Sequence, residues 1–245
     1  MSLSSVFDYA AQPKEPIICP LCGTDNPREP KVDRYGFAIG LSTCACGLSY
    51  LNPRMTLEAY ADFYATGAYR RLVQARFPYV TEAFRAAHHD YYAGGLALWL
   101  KDRGPVTHLL DAGGGTGLVG ERVGRRLQAQ TVTVLDPSRG ELAQAAARGL
   151  RTIEAPLERI PNCGPFDAIV CAQTLDHLCD PLAALRGLRR VGTGWLWVDI
   201  VTSHWKIDHP LYWTAPSLGR ALRLTGWQVT KQARVSTMKL GVLAV

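Results

Sequence analysis

The sequence lacks the long apolar run that a membrane-spanning helix needs. The best candidate, residues 191–201, contains Asp199 and is about half as long as a helix span should be. The N-terminal residues contain neither a basic segment nor a following apolar core, so no secretory signal is predicted. Disorder is excluded as the main state, because 47% of the 245 residues are hydrophobic and the net charge is only +6. These absences predict a soluble, cytoplasmic protein with one well-formed core and no membrane partner.

Runs of like charge are also absent. No block of five or more like charges occurs, and residues 1–50 carry four Lys/Arg against five Asp/Glu. The positive excess consists mainly of spaced arginines on helix-like segments of the C-terminal part, which is typical of a solvated helix face. Because phosphate contacts dominate nucleic-acid affinity, this distribution argues against a nucleic-acid partner. No feature of the sequence indicates an oligomeric state.

A disulfide framework is not indicated, because the seven cysteines are an odd number and four lie in two close pairs. The first pair is a C-x-x-C-G knuckle, and a shorter C-x-C-G knuckle follows about twenty residues later. Zinc prefers four tetrahedral thiolates, which two knuckles on facing hairpins can supply. The alternative is a set of unligated buried cysteines. The sequence predicts a structural zinc site formed by Cys19, Cys22, Cys44 and Cys46.

Three regions separate by composition: a zinc-ribbon-like module at 1–53, a helical cap or linker at 54–104, and an α/β domain at 105–245. In the third region the runs VTHLLDA, QTVTVLD, FDAIVCA and GWLWVDIV have the pattern of buried strands and alternate with segments of helical spacing. Strands separated by helices imply right-handed crossovers and a parallel sheet covered on both faces. The C-terminal segment 217–245 is predicted to form a helix and a terminal hairpin.

A glycine-rich turn between a predicted strand and a predicted helix is the most informative segment. Gly113, Gly115 and Gly117 permit a tight turn and the close approach of a ligand to the backbone. Asp111, at the end of the strand, is an acceptor suited to a cationic amine. Asp136, at the end of the next strand, is placed to accept hydrogen bonds from both hydroxyls of a ribose.

The same turn also fits the G-x-G-x-x-G pattern of dinucleotide-binding proteins at Gly115, Gly117 and Gly120. An aspartate inside the turn would face a pyrophosphate unfavourably, and little sequence follows for a separate substrate domain. A glycine-rich turn that binds no ligand is a further alternative. The residues favour a ligand that carries an amine and a ribose.

Three segments in order resemble class I S-adenosylmethionine-dependent methyltransferases. Residues 109–117 are similar to motif I of that family (D-x-G-x-G-x-G), Asp136 matches the acidic residue that ends its second strand, and residues 166–181 are similar to its fourth strand and following helix. The resemblance covers 105–245. It implies a doubly wound, mostly parallel seven-stranded Rossmann-like sheet, S-adenosylmethionine as cofactor, and methyltransferase activity.

The N-terminal part is similar to a narrower group, bacterial methyltransferases with a leading C-P-x-C-G zinc module. The residues that carry this likeness are 46–54, the pair Phe63-Tyr64 and the pair Tyr69-Arg70. Members of this group include sugar C-methyltransferases and tailoring enzymes of glycans and secondary metabolites. The resemblance therefore implies a small-molecule or sugar-like acceptor.

The resemblance also implies the cofactor contacts. The glycine turn and Asp111 would hold the methionine amine, Asp136 the ribose hydroxyls, and Arg70 the carboxylate. Residues after the second, third and fourth strands would contact the adenine and the sulfonium. The implied cofactor-binding residues are Tyr69, Arg70, Asp111, Gly113, Gly115, Gly117, Asp136, Pro137, Pro156, Leu157, Ala172 and Gln173.

Methyl transfer from a sulfonium needs alignment and exclusion of water, and it needs a base only if the acceptor must lose a proton. His177 and His209 are the candidate catalytic bases. His177 follows the fourth strand, at the edge where ligands bind in open α/β sheets, although it can equally fix local structure beside Asp176. His209 lies in an aromatic and polar loop after the fifth strand, where His204 competes for the role.

Two other functions stay open. A base methyltransferase of rRNA or tRNA can also carry a zinc module before such a domain, but the first fifty residues here are slightly acidic. No Asn/Asp-Pro-Pro-Tyr tetrapeptide, typical of amine methylation, follows the fourth strand. A non-catalytic methyltransferase-like partner protein is the second alternative, and it would need neither the glycine turn nor Asp136.

Overall fold

A small module of short strands occupies the N-terminal part of the computed structural model, which describes residues 3–103, 105–202, 204–236 and 239–245. The strands β2, β3 and β4 form an antiparallel sheet, and β1 pairs with β5. The five strands are β1 (Lys14–Glu15), β2 (Arg28–Val32), β3 (Ala38–Thr43), β4 (Ser49–Leu51) and β5 (Arg54–Met55).

Three helices follow: α1 (Leu57–Ala65), α2 (Ala68–Arg76) and α3 (Glu82–Trp99). The Thr56 side chain caps α1 by accepting a hydrogen bond from the backbone N–H of Ala59. Helices α1 and α2 share one apolar cluster with the N-terminal module. The buried residues of α3 instead pack against the strands of the large sheet. The segment 54–104 therefore has two roles, since α3 mainly covers the sheet, whereas α1 and α2 cap the site.

A seven-stranded sheet is the centre of the molecule. Its strands are β6 (His108–Ala112), β7 (Thr131–Asp136), β8 (Arg151–Glu154), β9 (Phe166–Ala172), β10 (Gly192–Val201), β12 (Val229–Ser236) and β13 (Lys239–Ala244). They lie in the order β12-β13-β10-β9-β6-β7-β8. The strands β6 to β10 run parallel, and β13 lies antiparallel between β10 and β12. The predicted doubly wound, mostly parallel sheet and its terminal hairpin are confirmed.

Four further helices cover this sheet: α4 (Leu118–Arg126), α5 (Arg139–Ala147), α6 (Pro181–Val191) and α7 (Ala215–Leu224). Central strand residues such as Leu109, Leu110 and Ile169 are fully buried, as expected for parallel strands with helices on both faces. Helix α6 begins where Asp180 accepts from the N–H of Ala183, with Pro181 in the first turn. The start of α6 is therefore determined by local sequence.

The strand β11 (Leu211–Tyr212) joins the two parts of the chain. It pairs antiparallel with β4, so the N-terminal sheet has the order β11-β4-β3-β2 and takes its edge strand from the predicted third region. The loop that carries His209 is thereby fixed between the module and the large sheet. Among the described residues, no helix combines the length and apolarity required to cross a bilayer.

Candidate functional site

The glycine-rich turn leaves β6 and enters α4 with three residues in the left-handed region. Gly113, Gly115 and Gly117 have φ values of 75°, 53° and 75°, which residues with a Cβ seldom adopt. A Cβ on Gly113 would lie 2.3 Å from Cγ2 of Thr174. The turn therefore needs glycine both for its conformation and for its close packing against the residues that follow β9.

Asp111 supports this turn from beneath. Its side chain is almost fully buried, and Oδ2 accepts a hydrogen bond of 2.8 Å from the N–H of Gly120. A Cβ on Gly114 would lie 2.4 Å from the Asp111 carboxyl carbon. Burial raises the pKa of Asp111 to about 7, and the hydrogen bond from Gly120 opposes this shift. Asp111 also borders the site cavity, where an amine is expected.

Asp136 at the end of β7 is held by two backbone donors. Its Oδ2 accepts from the N–H of Gly115 at 3.0 Å, and its Oδ1 accepts from the N–H of Ser138 at 2.8 Å. Burial raises the pKa of Asp136, and both hydrogen bonds lower it. The carboxylate is thus oriented beside the turn, and it lines the same cavity.

A cavity of about 360 Å³ lies between helices α1 and α2 and the carboxyl ends of the sheet strands. This edge is where open α/β sheets bind ligands, and the volume lies within the range of small-molecule sites. The structure brings these predicted residues to its wall: Tyr69, Arg70, Asp111, Gly113, Gly115, Asp136, Pro137, Pro156, Leu157, Ala172, Gln173, His177 and His209.

Gly117 is the one predicted cofactor-binding residue that does not line the cavity. It precedes α4, and a Cβ there would lie 2.5 Å from Cδ1 of Leu150 and 3.2 Å from Cβ of Ala145. Its lack of a side chain lets α4 approach β7 and α5 closely. Its position indicates helix packing rather than ligand contact.

The side chain of Arg70 is paired within the protein. Its Nε donates to Oε1 of Glu141 at 3.0 Å, so α2 is tied to the first turn of α5 across the cavity. The other carboxylate oxygen of Glu141, Oε2, is buried and has no hydrogen-bond partner among the described residues. Sequence reasoning missed Glu141. The only local signal was the Ser-x-x-Glu spacing of a helix cap at Ser138, whose Oγ accepts from the N–H of Glu141.

The predicted residues Ala172 and Gln173 lie where the chain leaves β9, and both line the cavity. Gln173 has a φ of 52°, and its N–H donates to the carbonyl oxygen of Asp199 at 2.9 Å. The Thr174 hydroxyl donates to the carbonyl of Ala172 at 3.0 Å. These bonds hold the backbone between Ala172 and His177 against the glycine turn.

The two contacts of the Tyr64 hydroxyl favour one tautomer of His177. Its Nδ1 lies 2.7 Å from the hydroxyl oxygen of Tyr64, and that hydroxyl lies 3.0 Å from the carbonyl oxygen of Asp208. A carbonyl can only accept, so the Tyr64 hydroxyl donates its single proton to Asp208 and accepts from Nδ1–H of His177. The lone pair of His177 is therefore on Nε2.

His209 packs edge to face on His177, with ring centroids 4.3 Å apart, and is deeply buried. Its Nδ1 lies 3.1 Å from Oδ2 of Asp176, and its Nε2 lies 3.4 Å from Oδ2 of Asp208 and 3.1 Å from Nζ of Lys206. Burial, reinforced by the neighbouring His177 and Lys206, lowers the pKa of His209 well below its usual range. The imidazole is thus held neutral. Sequence reasoning did not identify Lys206 or Asp208, although both lie within three positions of His209 in the same loop.

Residues 109–193 match a family model described as a methyltransferase domain. Together with the fold, this match identifies the protein as a methyltransferase enzyme. No curated protein matches the chain.

Solved structures share the fold of this methyltransferase. The 1,6-didemethyltoxoflavin-N1-methyltransferase of Burkholderia thailandensis, with bound 1,6-didemethyltoxoflavin and S-adenosylhomocysteine, is similar at a TM-score of 0.63 and 20% identity over 88% of this chain and 98% of that chain. The magnesium protoporphyrin IX methyltransferase of Synechocystis, with bound S-adenosylmethionine, is similar at a TM-score of 0.58 and 15% identity over 76% and 94%. The 4+2 cyclase SpnF is similar at a TM-score of 0.54 and 25% identity over 61% and 60%. These likenesses concern the fold.

The four predicted zinc ligands of the methyltransferase lie together in the N-terminal module. The Sγ atoms of Cys19 and Cys46 are 3.6 Å apart, those of Cys22 and Cys44 are 3.3 Å apart, and all four lie within 4.8 Å of one another. Four sulfurs at about 2.3 Å from one tetrahedral ion would be about 3.8 Å apart. The donor set therefore fits zinc in type, number and spacing.

Proposed function

We propose that this enzyme transfers the methyl group of S-adenosylmethionine to a small-molecule or sugar-like acceptor in glycan or secondary-metabolite biosynthesis. One observation carries the proposal: a single cavity is lined by the glycine turn, by Asp136, whose carboxylate is oriented by backbone N–H groups, and by His177, whose Nδ1 contacts Tyr64. The family match supports the reaction class. The bound small molecule in the Burkholderia relative supports the class of acceptor.

In this proposal the cofactor lies along the carboxyl edge of β6, β7 and β9. Asp136 accepts from the ribose hydroxyls with the lone pairs that its two backbone bonds leave free. The turn at Gly113 and the carboxyl group of Asp111 hold the methionine amine. Pro137 and the segment after β8 enclose the adenine, and the end of β9 faces the sulfonium.

Helix α2 closes this cofactor site from above. Tyr69 and Arg70 line the cavity, and the bond from Arg70 to Glu141 fixes the helix against α5. Arg70 has further guanidinium N–H groups, so it can retain Glu141 and still donate to the cofactor carboxylate. The enclosure excludes water from a displacement that depends on alignment.

The acceptor binds between the sulfonium and the histidine pair. Its nucleophilic atom attacks the methyl carbon, the carbon–sulfur bond breaks, and the electron pair of that bond stays on the sulfur as S-adenosylhomocysteine leaves. The proton that the acceptor loses goes to Nε2 of His177, whose lone pair is free because Nδ1–H is bonded to Tyr64. His209 and Asp176 then lie close enough to stabilise the imidazolium.

Calorimetric titration of the purified protein with S-adenosylhomocysteine, with NADH as control, tests the proposed cofactor. We expect micromolar binding of S-adenosylhomocysteine alone, which corresponds to about −8 kcal/mol. Binding of NADH instead would favour a dinucleotide enzyme. Binding of neither would favour the non-catalytic partner protein.

We also propose that Cys19, Cys22, Cys44 and Cys46 hold a structural zinc ion. Four thiolates leave no coordination position open, so this ion would stabilise the small module and take no part in the chemistry. By metal analysis, Cys22→Ser should contain one zinc ion per chain fewer than the wild-type protein. Cys163→Ser is the matched control, because Cys163 is a free cysteine outside the cluster. An unchanged zinc content in Cys22→Ser would refute the assignment.

A further inference from the structure

A second group of metal-ligand side chains lies at the floor of the cavity, away from the cysteines. One ligand atom from each of Asp176, His177 and His209 lies within 4.8 Å of the other two. We call these three residues the Asp-His-His cluster. His177 and His209 also line the cavity, so the cluster is open to a ligand bound there.

Two atoms of the cluster are buried without hydrogen-bond partners among the described residues. They are Oδ1 of Asp176, whose side chain is fully buried, and Nδ1 of His209, whose side chain is 2% exposed. Nδ1 lies 3.1 Å from Oδ2 of Asp176 but is not directed for a hydrogen bond to it. Unpartnered buried polar atoms are costly, and here a carboxylate and an imidazole nitrogen lie side by side.

We propose that Asp176, His177 and His209 bind a divalent first-row transition-metal ion at the acceptor end of the cavity. Two imidazoles and one carboxylate are a donor set that such ions accept, and three protein ligands leave coordination positions for a further ligand. Ligand atoms at about 2.1 Å from one ion lie within about 4.2 Å of each other. The ligand atoms of the cluster lie within 4.8 Å of one another, and small side-chain rotations would bring them to that spacing.

The hydrogen bonds behind the two histidines match those of metal-bound imidazoles. His177 donates Nδ1–H to Tyr64, which leaves Nε2 for the ion. For His209 the ligand atom is Nδ1, and Oδ2 of Asp208, 3.4 Å from Nε2, is placed to accept the remaining ring proton. A ligating histidine usually gives its other N–H to such an acceptor, which fixes the ring. Asp208 thereby supports both rings, since its carbonyl accepts from Tyr64.

The charges around the cluster also favour a cation. Three fully buried carboxylates lie close together, those of Asp176, Asp199 and Asp208. Two ammonium groups face them, Lys206 at 3.9 Å from Asp208 and Lys239 beside Asp199. A cation bound at the cluster would add positive charge beside these acidic side chains.

Lys206 competes with the ion through the tautomer of His209. Its Nζ lies 3.1 Å from Nε2 of His209 and can donate to it only when the ring proton is on Nδ1, the nitrogen that would bind the ion. Metal binding and this hydrogen bond therefore exclude each other. Binding of the ion would also exclude His177 as a free base, because its Nε2 lone pair would be coordinated.

The ligand at the open positions would be an oxygen donor, such as the hydroxyl group of the acceptor. In the ion-bound protein the ion would replace His177 in activating the acceptor: it would lower the pKa of the coordinated hydroxyl, whose proton would pass to a water molecule as the acceptor binds, and it would position the oxygen for attack on the methyl group. Only this role of the ion rests on the proposed methyl transfer, since the ion site itself is defined by the protein side chains.

Titration with Co²⁺ of protein that contains one zinc ion per chain, with zinc at the cysteine site and none at the cluster, tests the site. Zinc is bound more tightly than cobalt by a given ligand set, so Co²⁺ should leave the cysteine site filled. We expect one Co²⁺ per chain, with the weak visible absorption of nitrogen and oxygen ligands and without the intense near-ultraviolet band of thiolate coordination. The affinity of His177→Gln for Co²⁺ should fall at least tenfold, and that of Asp176→Asn likewise if it folds.

His89→Gln is the matched control, because His89 lines the same cavity but lies outside the cluster. Its Co²⁺ affinity should equal that of the wild-type protein. Absence of a bound Co²⁺, a thiolate band, or unchanged affinity in a folded His177→Gln variant would overturn the proposal. S-adenosylhomocysteine titrated into the same samples separates the two inferences. Cofactor binding without Co²⁺ refutes only the ion site, and Co²⁺ binding without cofactor refutes only the methyltransferase proposal.

Discussion

The hydroxyl of Tyr64 lies 2.7 Å from Nδ1 of His177, and this contact indicates that the ring proton is on Nδ1. The assignment follows from the second bond of the same hydroxyl, which donates to the carbonyl of Asp208 at 3.0 Å. A residue of the capping helix α1 therefore determines which nitrogen of a cavity histidine carries a lone pair. This relationship links the aromatic segment before the glycine turn to the chemistry of the site.

Tyr64→Phe should therefore alter His177 more than it alters the fold. Removal of the hydroxyl leaves Nδ1–H and the Asp208 carbonyl without a partner, which we expect to cost about 1–3 kcal/mol of unfolding free energy. The ring should then also populate the Nε2–H tautomer. Nitrogen-15 NMR of the imidazoles should show one His177 tautomer in the wild-type protein and two in the variant.

Tyr60→Phe is the matched control for this prediction. Tyr60 is one helical turn earlier on α1, and its buried hydroxyl donates to the carbonyl of Ile207 at 2.8 Å without touching a histidine. We expect a similar loss of stability and an unchanged His177 spectrum. Identical His177 spectra in Tyr64→Phe and Tyr60→Phe would contradict the tautomer assignment.

Asp136→Ala should weaken binding of S-adenosylhomocysteine without unfolding the chain. Two charge-assisted hydrogen bonds to the ribose would be lost, so we expect at least a tenfold rise in Kd by calorimetry. Glu154→Ala is the control, because Glu154 ends the neighbouring strand in register with Asp136 and is paired with Arg139 outside the cavity. Unchanged affinity in a folded Asp136→Ala variant would refute the ribose assignment.

The sequence predicted the strands and the turn because their signals are local. The apolar runs around Leu110, Val134, Ile169 and Val198 became β6, β7, β9 and β10, since each run is long enough for one strand and is flanked by a helical pattern. Asp111 and Asp136 lie near strand ends, as the sequence predicted. Both line the cavity, because parallel strands present their carboxyl ends at one edge of the sheet.

The parts that could not be predicted depend on contacts between distant residues. Arg70 pairs with Glu141 across 71 positions, and Tyr64 bonds Asp208 across 144 positions. The strand β11 pairs with β4, and nothing in its two residues indicates that partner. Such pairings are fixed by the packing of α1, α2 and the N-terminal module on the sheet, and no local pattern encodes them.

The protonation of Asp111 should make stability depend on pH. Burial raises its pKa from the ordinary 3.8 to about 7, so the folded protein binds a proton that the unfolded chain releases. The stabilisation is full below pH 3.8 and is lost as the pH rises through 7. Relative to Asp111→Asn, the wild-type protein should lose roughly 2–3 kcal/mol of unfolding free energy between pH 5 and pH 8.

Urea denaturation of both proteins at the two pH values, without cofactor, measures this difference. Asp111→Asn keeps an oxygen that can accept from the N–H of Gly120, so the turn retains its support. Other titrating groups act equally in the two proteins and cancel. A stability difference that stays constant from pH 5 to pH 8 would contradict a raised pKa at Asp111.

Gly113→Ala should destabilise the protein for two separable reasons. The left-handed φ of 75° costs an alanine about 1–2 kcal/mol, and a Cβ 2.3 Å from Cγ2 of Thr174 adds about 1–3 kcal/mol of crowding. Gly149→Ala isolates the first cost, because its φ is 80° and no atom lies within 4 Å of the added Cβ. Thr174→Ala in the Gly113→Ala background should relieve the second.

Chemical denaturation measures these differences. The free energy of unfolding should be lower for Gly113→Ala than for Gly149→Ala, and the double variant should recover part of that difference. Equal losses in the two single variants would mean that the turn at Gly113 can move away from Thr174 and is not fixed for a ligand.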